Sequence, residues 1–322
     1  MEREEFFERD GVKIYGTLTL PKEGEKLPAC LFIGGSLPQT REGDLDNSKT
    51  DWFPKPLPER KLFRDEAEVF KQIGIAIFRY DKRGCGKSEG DFKTTGLFDL
   101  VADARMALRW LRSLPEIDSQ RVGILGQSEG AIIALILAAE DPNIRFLIWQ
   151  GGAYNNLESL IRWQAEAFWK LGSEAIGNMK QNAPLIYWTY KQIDDLIARA
   201  HRGDKFMRLG DEEWSFDVYL PRCKEHFDNP PLKFVDKVKC PMLILHGKLD
   251  HNTPYTEAEQ AQQVLMKAGN TKVTIYIFEG LDHSFRRLGH ADEDFVTAMK
   301  RPLDPEMSEV LTNWLHSLSI HG

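Results

Sequence analysis

The stretch from Arg121 to Gly130 constrains this chain more than any other. Val122 to Leu125 is a short apolar run with the length and content of a buried strand. Gly126-Gln127-Ser128-Glu129-Gly130 follows directly and fits G-x-S-x-G. Ala131 to Ala139 comes next, apolar nearly all round, as a buried helix is. The five-residue pattern alone arises by chance in many chains; a strand before it and a buried helix after it supply the context that gives it weight. Glycines flank Ser128 because so sharp a turn leaves no room for a Cβ against neighbouring backbone. The turn lifts the Ser128 hydroxyl clear of the sheet. It also sets it at a helix N-terminus, where free N–H groups and the dipole favour developing negative charge.

The rest of the chain supplies a sheet for this unit. Phe6 to Arg9 and Val12 to Leu20 read as two strands around the Asp10-Gly11 turn, ended by Pro21 and Gly24. Ala29 to Ile33 is a continuous apolar run, as for a strand buried on both faces, and it enters Gly34-Gly35-Ser36-Leu37-Pro38. Gln39 to Glu59 is a polar loop with Pro54, Pro56 and Pro58 near Trp52 and Phe53. A loop this long in a compact protein is usually functional. Leu62 to Ile73 has helical spacing, Gly74 to Tyr80 is a further buried strand, and Leu97 to Leu114 is an amphipathic helix stopped by Pro115. Phe146 to Trp149, Met242 to Leu245 and Val273 to Phe278 complete the strands. Tyr255 to Ala268 and a final segment starting at Asp304-Pro305 are helices. From Ala153 to about Asp236 the strand alternation stops, and aromatic-rich helical patterns take over with no convincing buried strand. The expected architecture is α/β, a mostly parallel sheet with helices on both faces. Residues 1–152 and 237–322 form the core, and residues 153–236 form a helical insertion capping it.

Composition removes several classes of function. With net charge -7 and no lysine-arginine stripe, a nucleic-acid surface is not expected. No uninterrupted apolar segment is long enough to span a bilayer, and the charged start Met1-Glu2-Arg3-Glu4-Glu5 lacks the apolar core of a signal peptide. Cys30, Cys85, Cys223 and Cys240 are scattered without C-x-x-C spacing, so reduced thiols in a cytoplasm are expected and a zinc site is not. Gly86-Lys87-Ser88 echoes the end of a phosphate-binding loop. However, the glycine that motif needs earlier would fall at Asp81, and no helix begins after Ser88.

A serine hydroxyl is a poor nucleophile without a base. Asp250 and His283 each follow the carboxyl end of an expected strand, where open α/β sheets gather their ligand loops. In the chain order Ser128, Asp250, His283, the imidazole would take the serine proton and return it to the leaving group, while the carboxylate fixes the tautomer. The oxyanion would be held by the Glu129 N–H and by an N–H of the Gly35-Ser36-Leu37 turn, that of Ser36 above the others. Rivals were weighed. His246 sits at a strand end and reads as a buried loop-holding histidine. His251 adjoins Asp250 and points elsewhere. Asp282 abuts His283 and cannot easily reach its ring edge. The Glu129 carboxylate reads either as complementing the helix dipole or as a substrate contact. Metal ligation by His246, Asp250, His251 and His283 matches no familiar spacing.

Taken together, Gly34 to Pro38, Arg79 to Ser88, Gly126 to Gly130, His246 to Asp250 and Asp282 to Phe285 make the chain resemble the α/β-hydrolase superfamily over nearly its whole length. More narrowly, it resembles bacterial serine esterases and dipeptidyl-peptidase-like hydrolases with a helical cap. Leu37 stands where related esterases carry the second glycine of Gly-Ser-Gly-Pro. The resemblance implies a cofactor-independent serine carboxylesterase acting on small to medium acyl esters through an acyl-enzyme. Thioesterase and peptidase chemistry on the same residues, and a small-molecule receptor on the same fold, stand as alternatives. The oligomeric state stays open, a homodimer included. Aspartate-dependent dehalogenases and epoxide hydrolases are disfavoured, because serine occupies the elbow.

Overall fold

A computed structural model describes residues 1–22, 26–49, 54–290, 293 and 295–318; Gly24, Trp52 and Phe53 lie outside the described residues. The strands are β1 (Glu2–Arg9), β2 (Val12–Thr19), β3 (Leu27–Ile33), β4 (Ala76–Tyr80), β5 (Ile117–Gln127), β6 (Leu147–Gln150), β7 (Phe206–Gly210), β8 (Ser215–Tyr219), β9 (Met242–Gly247) and β10 (Val273–Phe278). The main sheet has the order β1-β2-β4-β3-β5-β6-β9-β10. The β1–β2 hairpin is antiparallel and joins β4 antiparallel, whereas every pairing from β4 to β10 is parallel. From β3 the chain runs first to β4 on one side and later to β5 on the other. The carboxyl ends of β3 and β5 therefore open the crevice where α/β sheets place their ligands.

The side-chain period of two explains why the central strands read as unbroken apolar runs. In β3, Ala29, Leu31 and Ile33 enter one core layer, while Cys30 and Phe32 enter the other. The first layer is roofed by α2 (Leu97–Ser113), α3 (Glu129–Glu140) and α9 (Thr256–Lys267). The second is roofed by α1 (Leu62–Gln72) and α11 (Pro305–Ser317). Helix α11 begins where Asp304 accepts the Glu306 N–H at 3.0 Å with Pro305 in the first turn. Each fully buried leucine, isoleucine or phenylalanine in these layers contributes about 1.5–3 kcal/mol.

Between β6 and β9 lie α4 (Leu157–Trp169), α5 (Ser173–Asn182), α6 (Pro184–Lys191), α7 (Ile193–Arg202) and α8 (Leu220–Asp228). All but α5 share a hydrophobic cluster of their own, including Ile193, Leu196, Ala200, Leu220 and Phe227. The segment is not wholly helical as expected, since β7 and β8 pair antiparallel within it. Their apolar alternation is only Met207 and Leu209 against Phe216, too short to stand out among the surrounding aromatics. The elbow strand also differs from expectation. It starts at Ile117, because Ile117 pairs with Leu27 across a register shift, a backbone link that its polar side chains hide. A short helix α10 (Phe295–Met299) precedes α11. Among the described residues, no helix is long and apolar enough to cross a membrane.

The elbow is packed without slack. A Cβ on Gly130 would overlap the Ile33 carbonyl oxygen and lie 2.7 Å from that of Gly34, both backbone atoms that cannot swing aside. Gly130→Ala is expected to lower the unfolding free energy by about 3 kcal/mol, the upper range for overpacking, read as a fall in denaturant midpoint with unchanged slope.

Candidate active site

Ser128 is the single residue between the end of β5 and the first turn of α3. Its backbone is held at φ 57, ψ -119, a conformation rare for a residue with a side chain. Such strain persists only where the surroundings over-determine it. Here the Ser128 N–H donates to the Gln150 carbonyl at 2.9 Å, and the flanking glycines let α3 press against β3.

His283 and Asp250 meet over the same sheet edge. The His283 Nδ1 is 2.6 Å from Asp250 Oδ2, and the carboxylate is fully buried. The other oxygen, Oδ1, accepts the Asn252 and Thr253 N–H groups at 2.7 and 2.9 Å. Burial works to raise the Asp250 pKa, but the His283 charge and the hydrogen bonds from both histidines outweigh it and hold the carboxyl well below the ordinary aspartate range. The base loop touches the elbow through Gln127, whose Nε2 donates to the His283 carbonyl at 3.3 Å. It touches β6 through Gly151, where a Cβ would lie 3.2 Å from the His283 ring. The His283 imidazole and the Asp250 carboxylate are thus joined by a direct hydrogen bond. Ser128 reaches the same place by backbone, and among the described residues its hydroxyl makes no hydrogen bond to His283. Contacts of that kind often tighten only once substrate is bound.

The rival residues fall into structural roles. His246 is fully buried in β9, its Nε2 2.8 Å from the Thr253 carbonyl and 3.2 Å from Asp250 Oδ2, so it braces the acid loop. Asp282 accepts the Ser284 and Arg286 N–H groups at 2.9 and 2.8 Å and caps its own turn. His251 is exposed. The glycine-rich loop after β4 wraps its own Asp81, whose carboxylate takes the Arg41 and Lys87 N–H groups at 2.8 and 3.1 Å. A Cβ at Gly86 would strike that carboxylate.

Glu129 stands in the first turn of α3, as the helix-dipole reading expects, and it also carries partners that neither reading supplied. Its carboxylate is buried and paired with Lys82 Nζ at 2.8 Å, Arg222 Nη2 at 2.7 Å and His226 Nε2 at 3.0 Å. Burial pushes its pKa up, yet the Arg222 and Lys82 charges and the His226 contact prevail and hold it well below the usual glutamate range. Arg222 and His226 lie four apart on α8, one face of a helix. They were missed in the sequence. The available signal was an acid set in an apolar helix start, which demands buried partners.

The Gly35-Ser36-Leu37 turn sits against Ser128. A Cβ on Gly35 would lie 3.0 Å from the Ser128 Cβ. Leu37 has φ 69, the left-handed region. Leu37 thus holds, with a side chain, a backbone conformation that glycine adopts at no steric cost.

A model of the serine aminopeptidase S33 family matches residues 60–287, well over half of the sequence. The chain belongs to this family. Across the S33 fold, Est1E from Butyrivibrio proteoclasticus, solved with ferulic acid bound, superposes with a TM-score of 0.63 at 18% identity, covering 98% of each chain. An esterase of Pyrococcus furiosus superposes at TM-score 0.59 and 16% identity, covering 98% of this chain and 92% of that one. Among curated relatives, an uncharacterized protein of Mycobacterium tuberculosis is 32% identical over 84 residues, which span 26% of this chain and 29% of that protein. A thiohydrolase of Arthrinium phaeospermum is 28% identical over 95 residues, 28% of this chain and 30% of that protein.

Two buried acids give pH signatures of opposite sign. Asp250 has a folded pKa below its ordinary 3.8, so its stabilising contribution is complete above that value and is lost as pH falls through the folded one. Asp250→Asn should therefore be destabilising at pH 7, with the gap to wild type closing below pH 3.8, in melts across pH. Glu66 on α1 is fully buried, accepts Gln150 Nε2 at 2.7 Å, and is pushed by burial from 4.5 up to about 8. Its folded form keeps a proton that the unfolded chain releases, so stability should decline from pH 4.5 to about 8. Glu66→Gln should flatten that decline; an unaltered slope contradicts the assignment.

Proposed function

We propose that this S33-family chain is a serine hydrolase that cleaves small to medium acyl esters through an acyl-enzyme. Ser128 is the nucleophile, His283 the general base and then acid, and Asp250 the group that fixes the imidazole tautomer and stabilises its charged form. The N–H groups of Ser36 and Glu129 receive the oxyanion. The observation that carries this reading is the strained Ser128 turn at the crevice shared with the His283–Asp250 pair, bonded at 2.6 Å.

Residues 153–236 act as the cap that selects the leaving group. Two contacts support this: Gln164 on α4 donates to the Asn252 carbonyl at 2.6 Å, beside the acid, and Arg222 on α8 grips Glu129, beside the nucleophile. The ring contacts among Phe168, Trp169, Tyr187 and Tyr190 give the cap an aromatic surface suited to an apolar acyl or aryl group. The family's aminopeptidase description and the thiohydrolase relative bring amides and thioesters into the comparison. An aminopeptidase needs an acid free to hold the substrate amine. Glu129, next to the nucleophile, is already matched by Lys82, Arg222 and His226, which favours ester over aminoacyl amide.

With an activated aryl ester, wild-type protein should give a burst of product stoichiometric with enzyme, and Ser128→Ala should give none. Asp250→Asn should cut kcat by about 10⁴ with the fold retained. A Ser128→Ala variant as fast as wild type would end the proposal. A panel of esters, thioesters and aminoacyl amides of matched chain length should rank esters first in kcat/KM.

A further inference from the structure

The peptide unit joining Gly35 to Ser36 is planar, so its carbonyl and its N–H point in opposite directions. Lys82, just past β4, donates from Nζ to the Gly35 carbonyl, with the Leu37 carbonyl at 3.5 Å. Gln39 grips the same turn from its own side chain. Its Oε1 accepts the Gly35 N–H at 2.9 Å, and its Nε2 donates to the Ser36 carbonyl at 2.9 Å. The N–H and carbonyl of Gly35 and the carbonyl of Ser36 are therefore all occupied. The Ser36 N–H is left without a hydrogen bond inside the protein among the described residues. Its direction is set by whatever holds the carbonyl on the far side of its own peptide plane.

That holder is itself held. The Lys82 side chain is 4% exposed, and an ammonium so buried requires a counter-charge. Glu129 provides it at 2.8 Å. Glu129 is also the residue whose N–H is the second oxyanion donor in the proposed function. One ion pair thus ties the two donors together, the side chain beside one fixing the cation that orients the other. Arg222 and His226 close on the same carboxylate from α8, and Arg222 lies 4.5 Å over the Phe92 ring.

We propose that Lys82, anchored by Glu129, is a positioning residue of the oxyanion hole. It sets the Gly35–Ser36 peptide so that the Ser36 N–H faces the developing oxyanion. Arg222 and His226 extend the linkage to the inserted segment, so the hole is fully formed only while α8 is seated on the elbow. The inference rests on Ser128 being the nucleophile.

Steady-state kinetics on an activated ester, together with inhibition by a trifluoromethyl ketone carrying the same acyl group, test it in wild type, Lys82→Met, Lys82→Arg and Arg222→Gln. A misdirected donor weakens transition-state binding and leaves ground-state binding alone. Lys82→Met should lose about 100-fold in kcat with KM within about threefold, and should lose ketone affinity in step with kcat/KM. Lys82→Arg keeps the charge and should recover part of both; if the methionine variant does not fold, a loss of about tenfold in the arginine variant carries the test. Arg222→Gln should show the same pattern at about tenfold. Unchanged kcat in the Lys82 variants, a loss confined to KM, or ketone affinity that stays constant while kcat falls overturns the proposal. A wild-type protein that neither turns over the ester nor binds the ketone removes the Ser128 reading itself, and the inference with it. An active wild type matched by its variants removes the Lys82 role alone.

Discussion

The contact between Gly130 and the carbonyl end of β3 is the constraint on which the site depends. It brings the first turn of α3 against Ile33 and Gly34, where a methyl group would not fit. Three consequences follow from that one approach. Ser128 is forced into its positive-φ turn, the Gly34–Leu37 loop leaving β3 lies against Ser128, and the amino end of α3 faces the crevice. The flat apolar interior of the sheet supplies the rigidity that keeps such a turn from relaxing.

Around this core the structure tolerates buried charge only where it is matched. Asp250 is surrounded by two imidazoles and two backbone N–H groups, and Glu129 by an ammonium, a guanidinium and an imidazole. Replacing such a set by apolar groups is often neutral for stability, whereas removing one member leaves an uncompensated ion. Both sets lie at the carboxyl edge of the sheet, one behind His283 and one beside Ser128 and the Gly35–Leu37 turn. Other buried charges are paired as well: Arg79 with Glu2 and Glu42, Asp103 with Arg83 and Arg9, and Arg286 with Asp65. Glu66 is the exception within reach of the site, and it is accommodated by keeping its proton.

Much of this was readable from sequence because it rests on local pattern. The elbow, the unbroken apolar runs of the buried strands and the Pro305 helix start are each written within a few consecutive residues. What escaped was set by partners far along the chain. The first residues of β5 are polar and become a strand only by pairing with β3. The β7–β8 hairpin is held by three inward side chains, Met207, Leu209 and Phe216, against a cluster assembled from several helices. The partners of Glu129 went unseen because Lys82, Arg222 and His226 stand 47, 93 and 97 residues away. Leu37 takes a left-handed backbone that its residue type gives no sign of.

The central claim is that the strained serine, and no other nucleophile, is activated by the paired imidazole. Intact-mass analysis and peptide mapping after exposure to a phosphonylating reagent address it most directly. The account predicts one adduct per chain, on Ser128, formed far more slowly when His283 is replaced by alanine. An adduct on another residue, or labelling of Ser128 at the same rate without the imidazole, would contradict it.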